Sequence, residues 1–376
     1  MNTDWEKVTY DVIDGRAGGR ILFQPRILCW YSDKVFAGES LGEFDGLRLS
    51  DIYRRLNLCN RIYEYNACIQ RVVEDKRIVH DMRQISPRER EFLIRTPIGE
   101  ITMRLYKNAS NGGEFFSKWW VENEQDLRVY TYYEEASDWK YYPEIFAQVR
   151  GEWGTLGAPT VFMPRTGIMH AYLDTMGVEN TAYALADMPE RMNSYFAALE
   201  RSHSRYIDAL NATDIRIVDF GDNLHGGLLP DRYMEEYILP AYERRCDKLH
   251  AAGKFVLSHW DGDTKNLLKY IRKTKLDGVE AITPKPQGDV SLPEVREALR
   301  EDQFLVDGIA AILFAQPYSE EELLAQAEEV IRLFAPKLIL GISDELASFG
   351  DIGRVKKVRD LVAAYNRGLG EKNEAV

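Results

Sequence analysis

The sequence predicts an α/β fold, a TIM (β/α)8 barrel formed by residues 1–376 as a single domain. Short apolar runs of strand length alternate with helical segments from about residue 155 onward, a rhythm that is typical of a parallel sheet. Polar residues follow several of these apolar runs, which is where a barrel builds its active site. No G-x-G-x-x-G motif follows a strand, which disfavours the rival doubly wound open sheet.

Composition narrows the class of protein. The 376 residues carry a formal net charge of −12, and no dense Lys/Arg block is present, so nucleic acid is not an expected partner. No apolar run reaches the ~20 residues that span a bilayer, and the first residues lack the layout of a secretory signal. A cytoplasmic location without membrane attachment is the expectation. The four cysteines form no C-x-x-C pair and indicate reduced core thiols.

The first strand is expected at residues 20–23, and helical periodicity covers residues 49–58 and 60–73. Between residues 74 and 125, β-like runs are separated by Pro and Gly turn signals, which indicates an antiparallel insertion or cap within the barrel.

The C-terminal part repeats one strand–helix unit, and Pro240 is expected to kink its second helix. With residues 20–23 the count is seven units, so closure of a barrel requires one further strand that the sequence does not locate. The predicted strands cover residues 160–163, 215–218, 255–257, 278–282, 304–306 and 338–340. The predicted helices cover residues 185–209, 231–252, 264–272, 292–299, 320–334 and 352–365.

The predicted strand ends form a ring of carboxylates around one imidazole. His259 and Asp261 follow one strand, and Glu280 ends the next. Nitrogen and oxygen ligands of this kind suit zinc or another divalent metal, so these three residues are the candidate metal ligands. The alternative is that His259 is a hydrogen-bonded core residue while the acids cap helices. Both interpretations remain open from spacing alone.

Substrate contacts are predicted at two kinds of position. Asn223 lies in a Gly-rich turn that follows the strand 215–218, and it is a candidate for binding substrate. The aromatic residues Trp30, Tyr31 and Trp260 are candidates for stacking on a planar ligand. Core packing explains aromatic side chains equally well.

Several motifs in this part of the chain resemble the uroporphyrinogen decarboxylase superfamily. Within it, the chain is most similar to the methyltransferase branch that works with corrinoid proteins, over about residues 155–367. The family fold is a TIM barrel, in agreement with the strand–helix rhythm. The motifs are Asp222-Asn223, Ala252-Gly253-Lys254, Ser258-His259-Trp260-Asp261-Gly262, Leu276-Asp277-Gly278-Val279-Glu280, Val306-Asp307-Gly308-Ile309 and Leu338-Ile339-Leu340-Gly341-Ile342-Ser343-Asp344.

The resemblance implies a zinc site with a changed ligand set. In these methyltransferases a His-x-Cys, an acid and a late Cys bind zinc; here the positions fall on His259, Asp261, Glu280 and about Ser343. Both thiolates are absent, which disfavours thiol activation and favours an oxygen ligand. The paired arginines of the decarboxylase reduce to Arg26, which is the implied contact to substrate.

The implied function is transfer of a methyl group from a methyl ether, such as an aromatic methoxy compound, to Co(I) cobalamin. The cobalamin is expected on a partner corrinoid protein, because this chain has no Asp-x-His-x-x-Gly motif. Asp222, His259 and Glu280 are the predicted catalytic residues, with Asp222 as a proton source. The alternatives are transfer from methylcobamide to a thiol or folate, decarboxylation of a porphyrinogen-like acid, and a barrel that only binds a ligand. The sequence leaves the oligomeric state open.

Overall fold

The structure is a computed structural model that describes residues 3–109 and 112–374. Residues 110 and 111, within the predicted insertion 74–125, lie outside the described residues. In chain order the strands are β1 (Leu22–Phe23), β2 (Ile69–Val73), β3 (Val79–Ser86), β4 (Glu89–Thr96), β5 (Gly99–Lys107), β6 (Glu114–Lys118), β7 (Ser137–Tyr141), β8 (Thr160–Met163), β9 (Ile217–Leu224), β10 (Phe255–Trp260), β11 (Gly278–Glu280), β12 (Phe304–Ala310) and β13 (Leu338–Ser343).

Helices cover the strands and join them. Among the described residues, no helix combines the length and apolar character needed to cross a bilayer. In chain order the helices are α1 (Trp5–Ile13), α2 (Leu28–Ala37), α3 (Leu49–Leu56), α4 (Glu124–Ala136), α5 (Pro143–Trp153), α6 (Gly167–His170), α7 (Val178–Asp187), α8 (Pro189–Asn211), α9 (Asp231–Tyr233), α10 (Leu239–His250), α11 (Leu268–Ile271), α12 (Leu292–Ala298), α13 (Glu320–Phe334) and α14 (Ile352–Glu374).

A parallel sheet forms the centre of the molecule. Its seven strands lie in the order β1-β13-β12-β11-β10-β9-β8, and every neighbouring pair is parallel. All residues of β12 and β13 are buried, as expected when helices cover the outer face and side chains fill the inner one. The predicted α/β class is confirmed, and the curled sheet is consistent with a TIM-like barrel.

Residues 58–62 lie between the two edge strands of this sheet. The Asn60 N–H donates to Leu156 O at 2.7 Å, just before β8, and Gln24 Nε2, just after β1, donates to Asn60 O at 3.2 Å. Ile62 forms an isolated parallel bridge with Pro159. The segment therefore connects the two edges without forming a regular eighth strand, and the sheet curls around it.

The prediction of a helix at residues 60–73 was wrong. Tyr63–Cys68 is a short 3-10 helix, and the chain then extends as β2, which pairs antiparallel with β7. The β-branched pair Val72 and Val73 favours this extended backbone. The partner strand β7 lies more than 60 residues away, so local periodicity carried no information about it.

The predicted β-rich region is present. Strands β3 to β6 form a four-stranded antiparallel sheet in sequence order, and its inner face packs on α4. Ile94 and Ile101 from this sheet join the same buried cluster as Leu127 and Val129 of α4. One face of the insertion is thus anchored to the main core.

The interruption expected at Pro240 is present. The helix begins as α9, passes through a π-helical turn at Met234–Ile238, and continues as α10. Proline has no N–H to give to the preceding turn, and a wider turn directly before it accommodates the missing hydrogen bond.

The close contact between Gly157 and the backbone of Asn60 allows a test of how residues 58–62 are held against β8. A Cβ added to Gly157 would lie 1.8 Å from Asn60 O, so Gly157→Ala should push residues 58–62 away from β8. We expect the free energy of unfolding to fall by about 1–3 kcal/mol, the usual cost of overpacking, in urea denaturation followed by circular dichroism. The matched control is Gly151→Ala in α5, where nothing lies within 4 Å and a gain of about 0.5–1 kcal/mol is expected. Equal stability of the two variants would contradict this account.

Candidate active site

Four adjacent strands bring one imidazole and three carboxylates together. His259 in β10 is in register with Glu280 in β11, and Asp307 of β12 directly follows the partner of Glu280. Asp219 of β9 lies on the other side of β10. All four side chains are buried. Parallel strands end at one edge of the sheet, so side chains from distant parts of the chain meet there.

The His259 ring is fixed by Glu280. Nδ1 of His259 forms a short hydrogen bond with Glu280 Oε2. Burial lowers the pKa of His259, but the Glu280 charge and this hydrogen bond outweigh it and raise the pKa to about 9. Burial acts to raise the pKa of Glu280, yet His259 and Arg61 hold it well below its usual range. Since Nδ1 is engaged, Nε2 is the ring nitrogen left for a ligand.

Arg61, from the joining segment 58–62, donates to two of the buried carboxyl groups. Burial and the charge of Glu280 raise the pKa of Asp307 well above its usual range, whereas Glu280 stays ionised. The Arg61 guanidinium donates to Glu280 Oε1 and, at 2.8 Å, to Asp307 Oδ1, while Nε donates to Gln24 Oε1 at 3.1 Å. Asp307 has a φ of 76°, a left-handed backbone that a non-glycine residue adopts only when its surroundings enforce it. The ion pair with Arg61 is one such constraint.

Three ligand-type residues cluster beside this network. One ligand atom each of His259, Asp261 and Asp344 lies within 4.8 Å of the others. One imidazole nitrogen and two carboxylate oxygens suit zinc or a similar divalent cation. Glu280, predicted as a ligand, holds the opposite side of the His259 ring, which is the usual arrangement for orienting a metal-binding histidine. The residues present therefore fit a divalent cation.

Arg26 supports the cluster from β1. Its Nη1 donates to Asp344 Oδ1 at 2.9 Å and to Glu280 Oε1 at 3.4 Å, and its Nη2 donates to Glu345. The guanidinium also lies 5.5 Å from the centre of the Tyr63 ring. Burial acts to lower the pKa of Arg26, but these carboxylates raise it above its usual value. Arg26 is thus a fixed cation that positions Asp344.

A cavity of about 520 Å³ opens onto the cluster, within the range of small-molecule sites. His259, Arg26 and Asp344 belong to its lining. The lining also contains three aromatic residues, called here the aromatic wall, namely Trp139, Phe162 and Tyr206; the Phe162 ring lies edge-on to the His259 ring, with centroids 6.3 Å apart.

The aromatic wall is braced from behind. The Tyr63 ring stacks on Phe162, with centroids 3.8 Å apart, and its hydroxyl donates to Asp219 Oδ2 at 2.8 Å. Burial, with the nearby charge of Glu280, raises the pKa of Asp219 to about 7. Asp219 Oδ1 is buried and has no hydrogen-bond partner among the described residues. Asp219 is thus a carboxyl group able to hold a proton near neutral pH.

A second cavity of about 580 Å³ adjoins the first. Arg165 and Asn223 line both cavities, and Asp261 lines only the second. His259 and Asp344 line only the first. The three-residue cluster therefore lies where the two cavities meet.

The predicted substrate contacts divide into two groups. Arg26 and Asn223 line the first cavity. Trp30, Tyr31 and Trp260 are not among the described residues that line it. Trp260 is fully buried, because it follows the imidazole directly in β10 and successive strand residues point to opposite faces. The Tyr31 hydroxyl donates to a backbone carbonyl instead.

Asp222, the predicted proton source, is also set back from the cavity. It is fully buried, accepts hydrogen bonds from the Thr166 N–H at 2.6 Å and the Tyr242 hydroxyl at 2.7 Å, and burial raises its pKa. These contacts tie the end of β9 to the start of α6, which precedes it in the chain, and to α10, which follows it.

The sequence reasoning missed residues with essential positions. Arg61 was assigned to a helix, and Trp139 lies in a segment with no strand signal. Asp344 was visible after the last strand, but a position at a helix N-terminus was the stronger explanation for it. Only Asp344 therefore left a signal that could have been used.

Two solved structures were found to be similar to this chain, and the first of them supports the fold. A methyltransferase from Methanosarcina mazei aligns with a TM-score of 0.51 and 10% identity, covering 69% of this chain and 75% of that chain. At this identity the likeness shows a shared fold. A B12-independent methionine synthase from Shewanella sp. W3-18-1 aligns with a TM-score of 0.48 and 10% identity, over 95% of this chain and 98% of that chain.

The comparison with protein families identifies the family of this chain more directly than the solved structures do. No curated protein matches the chain by sequence. The family model for uroporphyrinogen decarboxylase (URO-D) matches residues 164–364, more than half of the chain. That range contains His259, Asp261, Glu280 and Asp344. The chain therefore belongs to the uroporphyrinogen decarboxylase family.

Proposed function

We propose that this protein transfers a methyl group from a methylated oxygen of a small substrate to the Co(I) corrinoid of a partner protein. The observation that carries the proposal is the cluster of His259, Asp261 and Asp344 at the junction of two cavities. This set contains no thiolate, and hard nitrogen and oxygen ligands favour an oxygen-bearing substrate over a thiol. The fold shared with a methyltransferase is in keeping with this chemistry.

The three residues would hold a divalent cation, with zinc as the first candidate. When bound, such a cation supplies Lewis acidity that draws charge from an ether oxygen and makes it a better leaving group. Glu280 accepts the Nδ1–H of His259 and keeps Nε2 directed away from itself. Arg26 holds the Asp344 carboxylate. Asp219, with a pKa raised to about 7, joins Asp222 as a candidate proton carrier; both carboxyl groups are fully buried beside the cavity.

The walls of the first cavity favour an aromatic substrate. Trp139, Phe162 and Tyr206 present ring faces or edges to it, and aromatic rings pack on one another with useful energy. The Phe162 ring cannot turn freely because Tyr63 stacks on it. A methoxy-substituted ring bound here would lie between this wall and the ligand cluster.

A reaction between two large reactants needs room for both, and two cavities meet at the ligand cluster. Displacement at a methyl carbon requires the attacking atom and the leaving oxygen to lie on opposite sides of that carbon, in line. The first cavity is lined by aromatic residues and would hold the substrate. The second, lined by Asp261, His225 and Leu228, would give the corrinoid its approach.

Decarboxylation of an acidic substrate is the second candidate, because the family is named for it and three arginines line the first cavity. Each of these cations already has a carboxylate partner. Arg26 pairs with Asp344, Arg71 with Glu134, and Arg165 with Asp174. A substrate with several carboxylates would have to displace these partners, so the charge pattern favours a neutral methyl donor.

The proposal predicts methylcobalamin formation when the protein is mixed with a Co(I) corrinoid carrier protein and a methyl ether. Absorbance spectra would follow the change, with a panel of aromatic ethers, aliphatic ethers and methylamines as donors. Demethylation of preformed methylcobalamin by a thiol or folate, with no donor active, would reverse the assigned direction. Release of carbon dioxide from uroporphyrinogen would establish the decarboxylase instead.

The metal site predicts one equivalent of bound zinc per chain, measured by elemental analysis after dialysis. His259→Ala should lose the zinc and the methyl transfer together, while the circular dichroism spectrum stays unchanged. Glu280→Gln should weaken zinc binding about 10- to 100-fold, as loss of an orienting partner does. His250→Ala is the matched control, since that histidine pairs with Asp277 on the surface. Full zinc occupancy in His259→Ala would exclude this ligand set.

Trp139→Leu should raise KM for an aromatic methyl ether about 2- to 10-fold, corresponding to roughly 0.5–1.5 kcal/mol of ring packing. An aliphatic ether should show a smaller change, because it has no ring to stack. The comparison variant is Trp260→Phe, whose side chain is buried behind the sheet; it should leave the ratio of the two KM values unchanged. If Trp260→Phe changed this ratio and Trp139→Leu did not, the stacking role would belong to Trp260.

A further inference from the structure

We propose that the protein forms a symmetric homodimer in which β3 pairs antiparallel with β3 of a second copy. The two four-stranded sheets of the insertion would then become one continuous eight-stranded sheet. This inference rests on the surface of the insertion and is independent of the proposed function, since β3 does not line either cavity near the ligand cluster.

Strand β3 is an open edge. It stands first in the sheet order β3-β4-β5-β6, and its residues 79–85 are all exposed, on both faces. Three of them are large and apolar, with exposed fractions of 39% for Val79, 50% for Met82 and 42% for Ile85. A long edge strand with exposed apolar side chains is a template for pairing with another strand.

The backbone groups of β3 are available in an alternating pattern. The Met82 N–H is bonded to Asp81 Oδ1 at 2.8 Å, so it does not take part in the ladder with β4. In an antiparallel ladder, alternate residues direct their N–H and C=O groups to opposite sides. His80, Met82 and Gln84 therefore present their main-chain groups to the open edge.

The side chains of β3 are self-complementary about Met82. With a two-fold axis at this residue, Asp81 faces Arg83 of the second copy. Residues 79–84 form the regular part of β3, since the ladder with β4 shifts register between Gln84 and Ser86. The symmetry repeats the contact between Asp81 and Arg83, as in any isologous interface, and opposite-charge cross-strand pairs stabilise a sheet.

Neighbouring registers lack this complementarity. An axis at Asp81 places two carboxylates opposite each other, and an axis at Arg83 places two guanidinium groups opposite each other. Like charges directly across a ladder are destabilising. The charge pattern therefore favours the register centred on Met82. The partner that fits this edge is a second copy of this chain.

Formation of the pair exchanges hydrogen bonds without leaving a group unpaired. The Met82 N–H would donate to Met82 O of the second copy, which frees the Asp81 carboxylate to accept from Arg83 of that copy. Arg83 already donates to Glu91 through Nε at 2.8 Å, so its guanidinium is held on the face where the new contact forms.

The first test is the molar mass of the full chain, measured by light scattering during size-exclusion chromatography over a range of concentrations. We expect twice the 43.3 kDa of one chain. Met82→Pro should be monomeric, because it removes the central edge N–H, yet it should fold normally, because that N–H is outside the β3–β4 ladder. Phe115→Ser, which removes an exposed apolar residue from the opposite edge strand β6, should remain dimeric. A monomeric wild type, or a dimeric Met82→Pro, would overturn the proposal.

The second test uses charge. Asp81→Arg and Arg83→Asp should each be monomeric alone, since each places like charges across the two-fold axis. An equimolar mixture should form a heterodimer, in which every Arg faces an Asp. Glu91 keeps its contact with Arg104 in both variants, and circular dichroism would check that each is folded. Homodimers of either variant, or no heterodimer on mixing, would exclude the register centred on Met82.

Discussion

The buried charge balance around Arg61 is the constraint on which the site depends. Glu280 and Asp307 are fully buried, and an unpaired carboxylate in such a place is too costly to keep ionised. Arg61 supplies the compensating cation, and it comes from residues 58–62, which also connect the two edges of the curled sheet. The segment that connects the two edges of the curled sheet therefore also supplies a cation to the site. If residues 58–62 moved away, Glu280 would keep only His259 and Arg26 as positively charged neighbours, and the carboxylate that orients the His259 ring would be held less firmly.

The strand–helix rhythm and the position of His259 could be predicted from the sequence, because both are local. An apolar run that ends in polar residues is visible in a window of ten residues, and parallel strands align such ends automatically. Arg61 and β2 could not be found in this way. Their conformations are set by contacts with residues more than 60 positions away, and the apolar spacing of residues 60–73 fits a helix equally well. The sequence pointed to Trp260 and not to Trp139 for a related reason. Trp260 is adjacent to His259 in sequence, yet strand alternation turns it to the opposite face. Trp139 lies in β7, which pairs with β2 outside the main sheet.

The role of Glu280 shows why residue types alone do not define a ligand set. A carboxylate after the strand next to His259 has the right chemistry to bind a cation, and it has the same chemistry to hold the far side of the imidazole. Register decides between these roles. His259 and Glu280 are direct neighbours across β10 and β11, so the carboxylate meets Nδ1, and the two candidate ligand oxygens belong to Asp261 and Asp344, which follow the strands.

The cation–anion pairing in the first cavity bears on what can bind there. Arg26, Arg71 and Arg165 would create a strongly positive cavity if they stood alone, but each lies within salt-bridge distance of a carboxylate. The arginines of the cavity are therefore already paired, and part of the lining is aromatic. A ligand bearing several carboxylates would pay for desolvation without gaining free cations, because a substrate anion must compete with partners that are already positioned. A neutral or singly charged aromatic ring meets no such competition.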